Sequence, residues 1–153
     1  TGSWTDVAIH STAYGSIGGL IGYSLSGSVA NSFALGDITK ASPDDVDNVG
    51  GLIGMSSGTT VSNCYAQGDA TADNYSGGLI GYLASGSVTN SYSTGAVTVD
   101  VVGPGGLVGY NSGGTVTSSY YDTVTSGRTD NTGKGIPLTT AVACSRSRLL
   151  LAK

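Results

Sequence analysis

The sequence predicts an all-β chain wound as a parallel β-helix, or β-solenoid, and two observations carry that expectation. The block Gly-Gly-Leu-(Ile/Val)-Gly occurs four times, at 18–22, 50–54, 77–81 and 105–109. Counted from the second Gly, the copies are offset by 32 residues (19 to 51), 27 (51 to 78) and 28 (78 to 106), the spacing of structural units stacked in a line. After each copy comes a block with a period of two, in which Val29/Asn31/Phe33, Val61/Asn63/Tyr65, Val88/Asn90/Tyr92 and Val116/Ser118/Tyr120 alternate with small polar residues. Such alternation, rich in Val, Thr and Tyr and bracketed by Gly, is the pattern of a strand with one buried face.

Along the chain, residues 1–14, with Trp4, precede the first repeat and are expected to cap one end. The repeats fill 15–126 and start near 18, 50, 77 and 105. In each unit the Gly-Gly-Leu block supplies one strand and the alternating block a second. The third is Asp37-Ile38-Thr39, Asp69-Ala70-Thr71, Ala96-Val97-Thr98 and, more loosely, Thr123-Val124-Thr125. Three short strands in roughly 27 residues make one coil, and the chain holds about four to five. Frequent Gly and dense β-branched runs disfavour helices. The right-handed preference of β-crossover-β connections favours a right-handed solenoid, though left-handed β-helices exist. The longer first interval places a loop between Lys40 and Val49. From 127 to 153 the period is lost, Pro137 is expected to stop a strand, and the segment reads as a C-terminal cap and irregular tail.

Composition narrows the function. A chain of 153 residues is one domain that can bury a core. Charged residues are 10% of it, Glu is absent, and there is one His. Polarity therefore comes from hydroxyls and amides, while 39% hydrophobic residues at regular spacing set it apart from disordered chains. Through Gly127, nine Asp accompany only Lys40; from Arg128 onward, five Lys or Arg accompany Asp130. An acidic body argues against nucleic acid as partner. Cys64 and Cys144 match no metal-binding spacing and leave open a disulfide or two free thiols. No apolar run is long enough to span a membrane as a helix. The absence of a recognisable signal peptide does not argue against secretion.

With these residues in view, the chain resembles the GLUG-motif family, named for its Gly-Leu-hydrophobic-Gly core. The likeness covers roughly 15 to 140: the four glycine blocks, the following Val-x-Asn-(Ser/Cys)-(Tyr/Phe) strand, and an ending from Tyr120-Tyr121-Asp122 to Gly135-Ile136-Pro137-Leu138. Met55 stands where Tyr is usual and Ser118 where Asn is. The resemblance implies a bacterial β-solenoid, secreted or at the cell surface, like the repeats of large haemagglutinin-like adhesins. It brings no catalytic residues.

The residues themselves offer little for catalysis. His10 is the only His and lies before the first repeat, so no Ser or Cys has an evident base. Asp37 and Asp69 should stack one coil apart as a solvated corner. In the loop, Asp44, Asp45 and Asp47 are weak cation candidates that lack the third ligand and downstream Glu of an EF-hand. No phosphate-binding glycine loop occurs, and neither a cofactor nor a resident metal is expected. The Asn31/Asn63/Asn90 column is expected to point toward the core and hydrogen-bond up the stack, and the Phe33/Tyr65/Tyr92/Tyr120 column to stack beside it.

The positions between them define a candidate binding face of three outward columns. These are Ser28/Thr60/Ser87/Thr115, Ala30/Ser62/Thr89/Thr117 and Ser32/Cys64/Ser91/Ser119, a flat uncharged grid. The expected function is a noncatalytic extracellular module, adhesive or structural as a stalk or filament segment, engaging a glycan, a protein or its own ends. The alternative is an ice-binding protein that uses the hydroxyl grid, whose spacing of about 4.8 by 6.7 Å is comparable with oxygen repeats in ice.

Overall fold

The computed structural model describes residues 2–11, 15–40, 47–99, 102–132 and 134–142. Strands β1 (Trp4–Thr5) and β2 (Ile9–Ser11) lead into a first coil of β3 (Ser16–Gly18), β4 (Ile21–Ser24), β5 (Gly27–Ala30), β6 (Phe33–Ala34) and β7 (Ile38–Lys40). The second coil is β8 (Asn48–Gly50), β9 (Ile53–Ser56), β10 (Thr59–Ser62), β11 (Tyr65–Ala66) and β12 (Ala70–Ala72). The third is β13 (Ser76–Gly77), β14 (Ile80–Leu83), β15 (Gly86–Thr89), β16 (Tyr92–Ser93) and β17 (Val97–Val99). A fourth follows as β18 (Val108–Asn111), β19 (Thr115–Thr117) and β20 (Tyr120–Asp122), then a one-turn helix α1 (Thr123–Ser126) and β21 (Ile136–Leu138).

The chain is thus an all-β parallel solenoid of about four coils with three-sided coils. Two of the three sides bend once, so hydrogen bonding runs in five parallel ladders: β1-β6-β11-β16-β20-β21, β2-β7-β12-β17, β3-β8-β13, β4-β9-β14-β18 and β5-β10-β15-β19. Register is exact between repeats, with Val61 opposite Val29 and Val88, and Tyr65 opposite Phe33 and Tyr92.

The glycine block makes the first bend, where there is no room for a side chain. A Cβ on Gly50 would lie 2.0 Å from the Ile53 carbonyl oxygen, and one on Gly51 2.2 Å from that of Gly78 and 2.8 Å from the Ala66 Cβ. The Leu of the block turns inward, and Leu52, Leu79 and Leu107 are fully buried. Even the bend is bonded from coil to coil: the Leu52 amide donates to the Leu79 carbonyl at 2.9 Å, and that of Leu79 to Leu107 at 2.8 Å. Ile53, Ile80 and Val108 complete the main core with Val61 and Val88.

The second bend corrects the sequence-based assignment of faces. Asn31, Asn63, Asn90 and Ser118 adopt left-handed backbone angles, with φ of 51°, 53°, 49° and 47°. One such residue between two strands turns the chain and inverts the alternation that follows it. The Asn column is therefore exposed, not directed at the core, although Asn63 Nδ2 does donate to Asn31 Oδ1 one coil away at 3.3 Å. Asn accepts this conformation because its short polar side chain bonds locally, whereas most residues lose about 1–2 kcal/mol in it.

The ends are unlike. At the C-terminal end, Tyr121 occupies the position held by Ala34, Ala66 and Ser93 in earlier coils, is fully buried, and covers Gly106. Thr123-Val124-Thr125, expected as a loose third strand, is instead α1, because Asp122 caps it by accepting from the Val124 and Thr125 amides at 2.8 and 3.4 Å. Pro137 does not stop a strand: it lies inside β21, on an edge where its missing N–H costs nothing. Arg128 binds the Val97 carbonyl through Nε and Nη2 at 3.1 and 2.8 Å, and the Val108 amide donates to the Lys134 carbonyl. The tail beyond Val142, including Cys144, lies outside the described residues.

We expect Asn90→Ala to lower stability by about 1–2 kcal/mol, and Ser118→Asn to raise it, because only the backbone conformation at an exposed bend changes. Urea denaturation of both variants checks this, and equal midpoints would contradict the role assigned to the bend.

Candidate functional site

The inverted alternation redraws the candidate face. Ser28, Thr60, Ser87 and Thr115 form one outward column on β5, β10, β15 and β19, and Ala30, Ser62, Thr89 and Thr117 form the other. Between them the Val29, Val61, Val88 and Val116 side chains point inward. The face is flat, uncharged and two columns wide.

The third column is a correction. Ser32, Ser91 and Ser119 are 5%, 0% and 0% exposed, and Cys64 is 1% exposed, because each follows the left-handed residue and so turns inward. They form an internal relay. Each side chain donates to the carbonyl two residues earlier: Ser32 to Ala30 at 2.9 Å, Ser91 to Thr89 and Ser119 to Thr117 at 2.8 Å, and Cys64 to Ser62 at 3.2 Å. Each serine oxygen accepts an amide from the preceding coil: Ser3 to Ser32 at 3.1 Å, Cys64 to Ser91 at 3.1 Å and Ser91 to Ser119 at 3.2 Å. The bend takes these amides out of the backbone ladder, and the column of hydroxyls satisfies them. Cys64 is the one thiol in it, and burial pushes that thiol's pKa up, which keeps it unreactive.

The aromatic column stands outside the bend. Trp4, Phe33, Tyr65 and Tyr92 stack in sequence with ring centroids 5.9, 4.7 and 5.0 Å apart and planes within 12°. Phe33 and Tyr65 are half-buried and Tyr92 is 8% exposed. The rings cover one another's faces, so these contacts stabilise the stack and leave no flat inner ring for a sugar. A second cluster, Tyr75, Tyr82 and Tyr110, has centroid separations of 4.9 to 5.5 Å. Its column includes Met55 between Tyr23 and Tyr82.

Among the described residues the corner carboxylates serve the backbone. Asp37 Oδ1 accepts the Asp69 amide at 2.9 Å, and Asp69 Oδ1 accepts that of Ala96 at 2.7 Å, so each closes the backbone ladder at an exposed corner. His10 is exposed on β2 opposite Thr39. Asp44 and Asp45 lie outside the described residues. Asp47 is not a loop ligand: it is fully buried in an ion pair with Lys40, so its carboxylate is committed to that amine. Among the described residues no three His, Cys, Asp or Glu side chains gather as a metal site.

One surface escaped the sequence reading. Among the described residues, strands β3, β4 and β5 are the outer edges of their ladders, since β1 and β2 extend only two of the five. Around them Trp4, Val7, Tyr23 and Leu25 are 65%, 63%, 52% and 67% exposed, and a cleft lined by Ser3, Leu20, Ile21 and Val29 opens toward the core.

The model of the GLUG motif matches residues 13–39, 47–71 and 72–98, more than half of the chain. The chain belongs to the GLUG motif family. Each matched GLUG segment spans one coil's glycine bend and left-handed bend, and the fourth glycine block follows the matched segments. No curated protein and no solved structure matches the chain. No helix among the described residues is long and apolar enough to cross a membrane.

Replacing Ser91 with Ala should cost about 1–3 kcal/mol, because it leaves the buried Cys64 amide without an acceptor. Thermal unfolding measures it; a loss within error would mean that the relay contributes nothing.

Proposed function

We propose that this GLUG chain is a noncatalytic, extracellular structural or adhesive module, secreted or held at the cell surface. Its mechanism is geometric: rigid coils present fixed columns of side chains and an end face to a partner. The repeat fold, the family and a composition with 10% charged residues, no Glu and one His support this reading. The observation that carries it is the first coil, where among the described residues three consecutive strand edges are unpaired and four large apolar side chains are exposed. Unpaired edges of this kind are templates for further pairing. In sedimentation velocity the chain should associate with rising concentration, and Tyr23→Lys with Leu25→Lys should leave it monomeric. A monomer at every concentration would overturn association through this end.

A second reading, ice binding, is favoured by one specific feature. Thr115-Val116-Thr117, Ser87-Val88-Thr89 and Thr60-Val61-Ser62 place two hydroxyls around an inward Val at each level, in register from coil to coil. Under it, Thr89→Tyr, which sets a ring in the middle of the face without touching the core, should abolish inhibition of ice recrystallisation while the fold persists. If the parent chain has no such activity, the hydroxyl face is only a soluble surface.

A further inference from the structure

Lys40 ends β7 and Asp47 immediately precedes β8, so the two residues close the base of the 41–46 insertion that lengthens the first interval. Their side chains are both 0% exposed and in direct contact, Nζ to Oδ2. Ile38, Val49, Ala70 and Ala72 pack together at this corner with Ile9 and Ile17, so the pair sits among apolar side chains. Burying two charges there is expensive, and a pair taken out of water is held at a large desolvation cost. Condensation of the amine with the carboxyl group would remove both charges, and the two strands already hold the two groups in contact.

The next coil supplies a third group. The register Ala70 with Ile38 and Thr71 with Thr39 continues to place Ala72 over Lys40, and the Val49 amide donates to the Tyr75 carbonyl at 2.9 Å. The turn of residues 73 and 74 therefore lies one level above the Lys40–Asp47 pair. Asp73 Oδ2 is buried there without a hydrogen-bond partner among the described residues. A buried, unpartnered carboxyl oxygen calls for an explanation, and a proton to exchange with the pair supplies one.

We propose that Lys40 and Asp47 condense into an intramolecular isopeptide bond, with the Asp73 carboxyl carrying the proton. The neutral Lys40 Nζ attacks Asp47 Cγ to form the C–N bond, and Asp73 relays an Nζ proton to one carboxyl oxygen. The Cγ–O bond then breaks and one water leaves. Atoms and charge balance with no oxidant or second reactant: amine plus carboxylic acid gives amide plus water. The neutral amide removes the buried charges and locks the insertion loop to the solenoid at its base, a covalent clasp suited to a module that bears load or meets proteases.

Intact mass of the full chain under denaturing conditions tests this directly. The expected mass is one water below that of the sequence, and tandem mass spectrometry of a tryptic digest should find residues 40 and 47 joined, with no cleavage after Lys40. Lys40→Arg keeps the ion pair but cannot condense in this way, so it should fold and show the full mass. Asp47→Asn should lose one ammonia instead of one water. Asp73→Asn should fold, as circular dichroism would show, yet form the bond many times more slowly. A parent chain at full mass overturns the proposal and leaves an ion pair. Water loss that persists in Lys40→Arg overturns it too, since the loss then lies elsewhere. Bond formation in Asp73→Asn at the parent rate overturns the relay.

Discussion

Congruence between coils is the constraint on which the rest of this structure depends. Strand pairs with counterpart strand in register, so whatever the backbone does at one level it must be able to do at the next. A conformation that is awkward for one residue is awkward four times over, which is why the left-handed bend falls on Asn31, Asn63 and Asn90, and on the short polar Ser118 in the last coil. The glycine bend obeys the same logic through space: Gly19, Gly51, Gly78 and Gly106 each meet the backbone or the facing side-chain column closer than any Cβ allows. The family's sequence signature is thus the list of positions at which stacking tolerates few residue types.

Polar residues inside the solenoid follow from its bends. A straight ladder satisfies its own amides, but each left-handed residue displaces the amide after it from the carbonyl it would otherwise reach. Ser32, Ser91 and Ser119 answer this by pointing inward, donating to a carbonyl of their own strand and accepting an amide from the coil before. Apolar side chains there would fill the same volume and strand those amides, at a cost that exceeds the gain from burying a methyl group. Cys64 fits the column because a thiol keeps the donor, as its contact with the Ser62 carbonyl shows.

Coil number, coil length and the three sides were legible from the period, since repetition survives any error about a single residue. The facing of side chains was legible only up to the first bend. Alternation read along Val29, Asn31 and Phe33 assumes an extended backbone, and one left-handed residue inverts everything after it. The cue lay in the residue type, because Asn at one register position of three repeats, followed by Ser or Cys, suits a bend better than a strand interior. Thr123-Val124-Thr125 misled for a related reason: its β propensity is real, but Asp122 before it and Gly127 after it are helix caps, and the caps won. The Lys40–Asp47 pair was hidden by composition, since a lone Lys among Asp residues looks solvated until the fold closes the corner over it.

The two ends of the described stack stop their ladders differently. At the C-terminal end the aromatic ladder is extended by β21, the Lys134 carbonyl takes the Val108 amide, and Arg128 takes the Val97 carbonyl, so three ladders are terminated by the chain's own groups. Among the described residues the N-terminal end presents three open edges that run consecutively from β3 to β5. Among the described residues the C-terminal end leaves β19 and β21 as the outermost strands of their ladders. Two open ends brought together are related by a two-fold axis, which is self-complementary and closes after a single pairing. Under the end-to-end association proposed above, such a pairing would leave the Ser/Thr columns along the sides free.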